Sequence, residues 1–262
     1  MDLIKNIPQG TSLIIGGSRG IGRATALLLA LEGFPVAIGF RDNTQAADTT
    51  VNQVRALGAY AEAFRVDTGN PEDIEALFKN IDHRMPPLKA VVNSAAGGLV
   101  SKVADLEVES VERLIAVNVA GVILCCREAV RRMSKSGGGA GGAIVNVSSM
   151  ASTIGGRPGS TVYAASKAAV DTFTVGLAKE VAQEGIRVNV VRPGATITDR
   201  MAGLSSNREA KSALEGTIPM GRMGLPEEIA EAIVWLLSKK ASWITGAHLD
   251  VGGGGFLVGP PI

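Results

Sequence analysis

TSLIIGGSRGIG, at residues 11–22, joins an apolar run to a glycine-rich turn, and a further apolar stretch follows it. The run at 11–15 predicts a buried strand, and residues 21–31 predict a helix. Glycines in the turn permit positive dihedral angles and let a phosphate approach the backbone. The helix start behind them offers unpaired N–H groups and a partial positive charge. Loop geometry alone would explain such a turn, but its place between strand and helix favours phosphate binding.

Short apolar runs alternate with amphipathic stretches along the rest of the chain. The runs predict strands at 11–15, 36–40, 61–66, 90–93, 143–148, 187–191 and 248–251. The amphipathic stretches predict helices at about 21–31, 44–57, 71–82, 110–133 and 162–184. This alternation predicts an α/β fold, a Rossmann-like doubly wound parallel β-sheet of six to seven strands with helices on both faces. Because no linker interrupts the pattern, we expect a single domain over residues 1–262.

The composition excludes several classes of protein. The 262 residues are 46% hydrophobic and 19% charged, which excludes a disordered chain. Lys and Arg total 26 against 25 for Asp and Glu, which argues against nucleic acid as a partner. No apolar run reaches the roughly 18 residues that cross a bilayer, and residues 1–10 lack the pattern of a signal peptide. We therefore expect a cytoplasmic protein that binds neither membranes nor nucleic acid.

The cysteines and histidines do not form a recognisable site in the sequence. Cys125 and Cys126 are adjacent and are the only cysteines, so they predict small buried residues rather than a disulfide framework. His83 and His248 lie far apart, with no cluster of metal ligands around them. The sequence therefore predicts no metal site and argues against a Ser-His-Asp hydrolase.

The end of the second predicted strand bears on the choice of nucleotide. In dinucleotide-binding folds an acidic residue there accepts hydrogen bonds from a ribose 2′-hydroxyl, whereas a basic residue favours a 2′-phosphate. This strand ends in Phe40 and Arg41, and Arg19 in the glycine turn adds a second cation. Each arginine alone would suit a solvated surface, but the two together favour NADP(H). Asp42 follows Arg41, so the sequence leaves NAD(H) open.

Tyr163 and Lys167 are four residues apart in a predicted helix, which puts both side chains on one face. An ammonium close to a phenol favours the phenolate, which makes the tyrosine a usable acid or base. Most such pairs are surface contacts, but Ser148 and Ser149 end the fifth predicted strand, at the edge where these sheets bind ligands. A serine hydroxyl there would polarise a carbonyl oxygen that the tyrosine protonates.

Several short motifs, in order along the chain, resemble those of the short-chain dehydrogenase/reductase family. They are GGSRGIG at 16–22, VD at 66–67, VNSAA at 92–96, VNVAG at 117–121, NVSS at 146–149, YAASK at 163–167 and RVNVVRPG at 187–194. The resemblance spans residues 11 to 251 and is specific because the motifs are independent. It implies the single-domain, NADP-preferring type of the family.

The resemblance implies roles for individual residues. Asn118, Ser149, Tyr163 and Lys167 would be catalytic. Asn118 would hold a water-linked proton path through a local helix distortion, and Ser149 would polarise the carbonyl. Tyr163 would move the proton, and Lys167 would bind the nicotinamide ribose. The implied cofactor-binding residues are Gly16, Ser18, Arg19, Gly20, Ile21, Gly22, Phe40, Arg41, Asp67, Asn93, Tyr163, Lys167, Pro193, Gly194, Thr196 and Thr198.

Two of these residues have more specific implied contacts, and a lid is implied as well. Asp67 would hydrogen-bond the adenine, and Asn93 would line the cofactor cleft. Residues 195–220 would form a substrate lid, with Met201, Leu204 and Met220 as candidate pocket walls.

The chain departs from the family pattern at three places. Ile15 replaces the threonine usual before the first glycine, and NSAA at 93–96 replaces the usual NNAG. The gap between Ser149 and Tyr163 is one residue longer than in the family, which leaves open whether Ser148 or Ser149 is catalytic.

The sequence therefore predicts an NADP(H)-dependent oxidoreductase. It would transfer a hydride reversibly between nicotinamide and a ketone, an aldehyde or a secondary alcohol, with Tyr163 as general acid and base. The alternatives are an NAD(P)-dependent sugar or polyol dehydrogenase and a catalytically idle NADP-sensing or scaffold protein. The resemblance also implies a homotetramer, with interfaces at the helices near 110–133 and 163–184 and at the last helix and strand.

Overall fold

The computed structural model describes residues 10–201 and 207–255, and within these ranges seven strands form one parallel sheet. The strands are β1 (Thr11–Ile15), β2 (Val36–Phe40), β3 (Ala61–Arg65), β4 (Leu88–Asn93), β5 (Gly142–Val147), β6 (Ile186–Pro193) and β7 (His248–Val251). Their order across the sheet is β3-β2-β1-β4-β5-β6-β7. Every neighbouring pair is parallel, which confirms the predicted doubly wound fold.

Helices connect and cover these strands on both faces. In the described ranges they are α1 (Gly20–Leu31), α2 (Thr44–Ala56), α3 (Pro71–Arg84), α4 (Val108–Ile115), α5 (Gly121–Met133), α6 (Ala151–Ile154), α7 (Thr161–Val181), α8 (Arg208–Glu215) and α9 (Pro226–Leu237). Short 3-10 turns occur at Val103–Asp105, Asp199–Met201 and Lys239–Ala241, and a π-helical turn at Ala116–Ala120.

Side chains alternate along each strand and so build a hydrophobic core on each face of the sheet. In β1, Ile14 packs on the face that α1, α2 and α9 cover. Leu13 and Ile15 pack on the opposite face, against residues of α3, α5 and α7. Strands buried on both faces have continuous apolar sequences, which is why the sequence indicates them clearly.

The predicted helix at 110–133 is not a single α-helix, and the local distortion that the family resemblance implies at Asn118 is present. That segment consists of α4, the π-helical turn at Ala116–Ala120 and then α5. A π turn closes its hydrogen bonds one residue further along the chain than an α-helix does, and such turns are frequent at functional sites. Asn118 lies within this turn and is fully buried.

Helix α9 is not among the helices that the amphipathic pattern predicts, although its N-terminal signals are present in the sequence. Pro226 occupies its first turn, and the Glu228 carboxylate accepts a hydrogen bond from the Leu225 N–H at 2.8 Å. At its other end the guanidinium of Arg187, in β6, donates hydrogen bonds to the carbonyls of Leu236, Leu237 and Ser238. Arg187 therefore satisfies carbonyl groups that the end of a helix leaves without partners.

Both cysteines are buried in α5, as expected, and both are free thiols. Burial raises the pKa of the Cys126 thiol to about 12, although hydrogen bonds with Asn146 and Asn93 oppose the shift. Burial raises the pKa of Cys125 well above its ordinary value too, and the neighbouring Cys126 and Glu128 add to the shift.

His83 and His248 are exposed, His83 in the last turn of α3 and His248 in β7. Over the described part of the chain, no three His, Cys, Asp or Glu side chains converge as metal ligands would. No helix in that part combines the length and the apolar character that crossing a membrane requires.

The tight packing of the glycine turn can be tested at Gly22. A Cβ atom at this position would overlap the carbonyl oxygen of Gly16, so we expect Gly22→Ala to lower the free energy of unfolding by about 1–3 kcal/mol. Gly176→Ala is the matched control, because Gly176 lies in α7 with open space around its Cβ position, and alanine favours a helix over glycine. Chemical denaturation measures both variants, and equal stabilities would contradict the prediction.

Candidate active site

A cleft with a volume of about 540 Å³ runs along the edge of the sheet where the strands end. This is the edge at which doubly wound sheets bind ligands. Most of the predicted site residues line it: Gly16, Ser18, Arg19, Gly20, Ile21, Phe40, Arg41, Asp67, Ser148, Ser149, Tyr163, Lys167, Pro193, Gly194, Thr196 and Thr198. Three others, Gly22, Asn93 and Asn118, do not form part of its walls.

The glycine turn between β1 and α1 adopts the backbone conformation that its sequence predicts. Gly16 has a φ of +83° and Gly20 a φ of +52°, both in the left-handed region that favours glycine. A Cβ atom at Gly16 would lie 2.6 Å from the amide nitrogen of Ala95, so the turn packs directly against the segment after β4. Gly22 packs against Gly16 on the side of α1.

The first turn of α1 lies at this cleft and fits an anion. Arg19 is the N-cap residue, its side chain makes no capping hydrogen bond, and no acidic residue occupies the first turn. N–H groups at such a helix start attract a phosphate through hydrogen bonds and the helix dipole. The residues present therefore fit a dinucleotide with its diphosphate at this turn.

Arg19 and Arg41 are both exposed and both line the cleft. Nε of Arg41 donates a hydrogen bond to the Asp42 carboxylate at 2.5 Å. Asp42 therefore competes for one of the two cations that were expected to bind a 2′-phosphate.

Asp67 follows β3 and lines the cleft. Its carboxylate accepts hydrogen bonds from the Gly69 N–H at 2.9 Å and from Nη2 of Arg113 at 2.7 Å to each oxygen. Burial by itself raises the pKa of Asp67, but these hydrogen bonds and the charges of Arg113 and Arg41 outweigh it and hold the pKa below its ordinary value. Asp67 is therefore a carboxylate at neutral pH. Arg113 belongs to none of the motifs in the sequence.

Helix α7 brings Tyr163 and Lys167 to the cleft. Nζ of Lys167 lies 5.9 Å from the centre of the Tyr163 ring and donates a hydrogen bond to the Val147 carbonyl at 2.9 Å. Lys167 is only 2% exposed, so its ammonium depends on protein contacts instead of bulk water. The arrangement places a buried cation beside a tyrosine in the cleft.

Ser148 and Ser149 follow β5 and have different surroundings. The Ser148 hydroxyl is buried and donates a hydrogen bond to the Lys167 carbonyl at 3.1 Å. The Ser149 hydroxyl oxygen accepts the Ala151 N–H at 3.1 Å, and this bond leaves the hydroxyl hydrogen available to donate. Both serines line the cleft. The hydroxyl hydrogen of Ser148 is used in its bond to the Lys167 carbonyl, whereas that of Ser149 is available to a ligand.

The segment between Ser149 and Tyr163 includes a glycine-rich loop between α6 and α7. Gly155, Gly156 and Gly159 have φ values of +75°, +78° and +86°. Glycine adopts these angles without strain, so the loop can turn tightly between the two helices.

The side chain of Asn118 supports the cleft from behind. Its Oδ1 accepts the Gly97 N–H at 2.7 Å, and its Nδ2 donates to the Gly97 carbonyl at 3.2 Å and to the Ser166 hydroxyl at 3.0 Å. These bonds join the segment after β4 to α7, so Asn118 orients the wall that Gly97 forms.

Asn93 lies beneath the cleft, in contrast to the expectation that it lines the cofactor cleft. It is 3% exposed, and its Nδ2 donates to Oδ1 of Asn146 at 2.7 Å and to the Cys126 sulfur at 3.4 Å. Asn146 in turn donates to the Thr174 hydroxyl at 2.8 Å. Asn93 is therefore part of a buried polar chain that links β4, β5 and α7.

Some cleft walls were not assigned from the sequence. They include Ser94–Val100 after β4, Ser160 and Asp199. For Ser94–Val100, the position after a strand end was the available signal. Met201 lines the cleft, as expected. Met220 is 63% exposed and is not part of the walls. Leu204 lies outside the described residues.

The family model and two of the curated proteins that match this chain are described as reductases or oxidoreductases. The family model described as enoyl-(acyl carrier protein) reductase matches residues 16–255. The uncharacterised oxidoreductase YgfF of Escherichia coli K12 is 49% identical over 246 residues, which are 93% of this chain and 98% of YgfF. The 3-oxoacyl-(acyl-carrier-protein) reductase FabG of Staphylococcus aureus is 32% identical over 247 residues, 94% of this chain and 98% of FabG.

A solved structure agrees with these sequence matches. The crystal structure of a dehydrogenase/reductase from Sinorhizobium meliloti 1021 superposes with a TM-score of 0.89 at 32% identity and covers 97% of each chain. The family model's match, residues 16–255, includes the glycine turn and α7, the helix that carries Tyr163 and Lys167. On this evidence the chain belongs to the short-chain dehydrogenase/reductase family of oxidoreductases.

Proposed function

We propose that this oxidoreductase is an NADP(H)-dependent carbonyl reductase or alcohol dehydrogenase, which converts a ketone or aldehyde and an alcohol into each other. The observation that carries the proposal is that Tyr163 and Lys167 share one cleft with the glycine turn at the start of α1. A proton donor and a dinucleotide site are the two parts that such a reaction requires.

The cofactor, when bound, supplies or accepts the hydride. The N–H groups at the start of α1 would hold its diphosphate, and Arg19 and Arg41 would bind the 2′-phosphate. Lys167 would bind the nicotinamide ribose, and Asp67 would accept a hydrogen bond from the adenine. The nicotinamide end would lie along the segment after β6, which contributes Pro193, Gly194, Thr196 and Thr198 to the cleft.

The residues after β5 and in α7 would handle the proton. Tyr163 would give its hydroxyl proton to the substrate oxygen in reduction and take it back in oxidation. The ammonium of Lys167 favours the ionised phenol because opposite charges attract. The Ser149 hydroxyl would donate a hydrogen bond to the substrate oxygen and polarise the carbonyl. Asn118 would support a water-linked proton path behind the lysine.

The walls of the cleft favour a ketone or alcohol with apolar substituents. Leu99, Val100 and Met201 border it, and Ser160 and Asp199 are polar residues of the walls. Apolar side chains of this kind favour carbon substituents over charged groups. The name of the FabG relative refers to a 3-oxoacyl compound, which is a ketone.

One observation favours a second candidate, an NAD(P)-dependent sugar or polyol dehydrogenase. Asp42 binds the guanidinium of Arg41, and a carboxylate close to the end of β2 suits a free ribose 2′-hydroxyl. Such an enzyme would accept NAD(H) as well as NADP(H).

A homotetramer is part of the proposal. Trp243 is 99% exposed and Trp235, in α9, is 40% exposed, and both lie in the segment that leads to β7. Ile115 and Ile123, at α4 and α5, are each 38% exposed. Large exposed apolar side chains mark protein interfaces, and these positions match the two interfaces that the family resemblance implies.

Replacing Tyr163 tests the proton role. Tyr163→Phe removes the hydroxyl and keeps the ring, so we expect turnover to fall by about 10²–10⁴-fold, a much larger effect than any loss of affinity for NADPH. The assay uses NADPH with a panel of ketones that includes ethyl acetoacetate and cyclohexanone. Tyr60→Phe is the matched control, because Tyr60, before β3, is the other tyrosine and is 47% exposed. Wild-type turnover in Tyr163→Phe would contradict the proposal.

If the wild-type protein binds NADPH but reduces no ketone of the panel, the result would favour the alternative of an idle NADP-sensing protein.

The two serines form a matched pair of variants. We expect Ser149→Ala to lower turnover by about 10²-fold or more, because it removes the donor to the substrate oxygen. Ser148→Ala removes the bond to the Lys167 carbonyl, so its main effect is a loss of about 1 kcal/mol in stability. Turnover and thermal unfolding of both variants separate the two roles, and the reverse pattern would make Ser148 the catalytic serine.

The choice of nucleotide depends on the arginines. We expect Arg19→Ala and Arg41→Ala each to raise the Kd for NADPH about tenfold and to leave the Kd for NADH unchanged. Asp42→Ala should lower the Kd for NADPH, because it frees Arg41 and removes a negative charge. Titrations followed by nicotinamide fluorescence measure these values. Tighter binding of NADH than of NADPH by the wild-type protein would contradict the assignment and favour the second candidate.

A further inference from the structure

An ion pair ties the loop after β3 to α4, next to the cleft. Arg113 is in α4, and its Nη2 lies 2.7 Å from each carboxylate oxygen of Asp67. The guanidinium also lies close over Gly69, where a Cβ atom would overlap Nη1. Because Gly69 lacks a side chain, the arginine can reach the carboxylate from this direction.

The acceptor positions of the Asp67 carboxylate are unequally occupied. Each carboxylate oxygen has room for about two hydrogen bonds. Oδ1 accepts the Gly69 N–H at 2.9 Å and Nη2 of Arg113 at 2.7 Å, so both of its positions are filled. Oδ2 accepts only Nη2 of Arg113 among the described residues. The side chain of Asp67 is 25% exposed and lines the cleft, so the remaining position on Oδ2 is accessible to a ligand.

We propose that Arg113 is a positioning residue, which orients Asp67 so that Oδ2 accepts the 6-amino group of adenine and rejects a 6-oxo purine. The inference rests on the proposed binding of NADP(H) in this cleft. The 6-amino group of adenine donates a hydrogen bond, whereas the 6-oxo group of hypoxanthine accepts one and is repelled by a carboxylate. Arg113 does not line the cleft, so it acts on the nucleotide through Asp67.

The same ion pair keeps the acceptor in its charged form. The hydrogen bond and charge of Arg113 help to hold the pKa of Asp67 below its ordinary value, against the effect of burial. Without Arg113 the carboxylate keeps only the hydrogen bond from the Gly69 N–H to Oδ1, Oδ2 loses its partner, and the remaining cation that acts on the carboxylate is Arg41. The carboxylate then loses its fixed direction toward the base.

The test compares two nucleotides by fluorescence titration. The probes are NADPH and its analogue in which hypoxanthine replaces adenine. In the wild-type protein we expect NADPH to bind at least about tenfold more tightly, the effect of one hydrogen bond to a charged group. In Arg113→Met we expect the affinity for NADPH to fall about tenfold and the affinity for the hypoxanthine analogue to stay the same. The ratio of the two affinities therefore approaches one, and Arg113→Lys restores part of it.

Two further variants separate positioning from folding. Arg127→Met is the matched control, because Arg127 is an arginine of similar exposure, 44% against 43%, and is paired to Glu128 away from the cleft walls. Its nucleotide ratio should equal that of the wild-type protein. In a protein that already carries Asp67→Asn, Arg113→Met should not change the ratio of the affinities for NADPH and the hypoxanthine analogue any further. Both residues act through one carboxylate, so their effects are not additive.

The possible failures are distinguishable. If both nucleotides bind and Arg113→Met weakens them equally, Arg113 is only structural and the inference is overturned. A wild-type ratio near one also overturns it, while leaving the proposed function intact. If the wild-type protein binds neither nucleotide, the proposed function fails and this inference fails with it.

Discussion

Parallel pairing places the carboxyl ends of the strands at one edge of the sheet, and the cleft depends on this constraint. From the neighbouring strands β1 and β4, the sheet extends through β2 and β3 on one side and through β5, β6 and β7 on the other. The loops diverge where the direction reverses, and a crevice opens between them. Arg41 and Asp67 reach it from the first side, and Ser149 and Lys167 from the second. The residues proposed to bind the adenine and the 2′-phosphate are thus separated from those proposed to move the proton.

The position of α7 along the sheet is determined by buried polar contacts with β5. Nζ of Lys167 donates to the Val147 carbonyl, and the Ser148 hydroxyl donates to the Lys167 carbonyl. About two turns further along the helix, the Thr174 hydroxyl accepts a hydrogen bond from Asn146. Any shift of α7 would leave several of these groups unpaired in the interior, which is costly. The helix therefore presents Tyr163 from a rigid base.

The sheet could be predicted from the sequence because strands buried on both faces have apolar runs bounded by turns. In β2, for example, the predicted bounds 36–40 are those of the structure. The apolar pattern gives no sign of the interruption in the helix at 110–133, because the pattern continues through the π turn. Only the family resemblance implied a distortion at Asn118. Asn93 and Ser94 are adjacent, but successive side chains leave a strand on opposite faces, so one is buried and the other lines the cleft. Arg113 pairs with a residue 46 positions away, and only the folded chain brings them together.

The burial of both cysteines leaves the native protein without a reactive thiol at its surface. Alkylating reagents and oxidants attack the thiolate, whereas Cys125 and Cys126 stay protonated at neutral pH and out of contact with solvent. Because the chain has no other cysteine, a single cysteine introduced on the surface would be modified selectively. Val100, 81% exposed at the rim of the cleft, is a suitable position. A spectroscopic label there would report on ligand entry while both native cysteines remain in place.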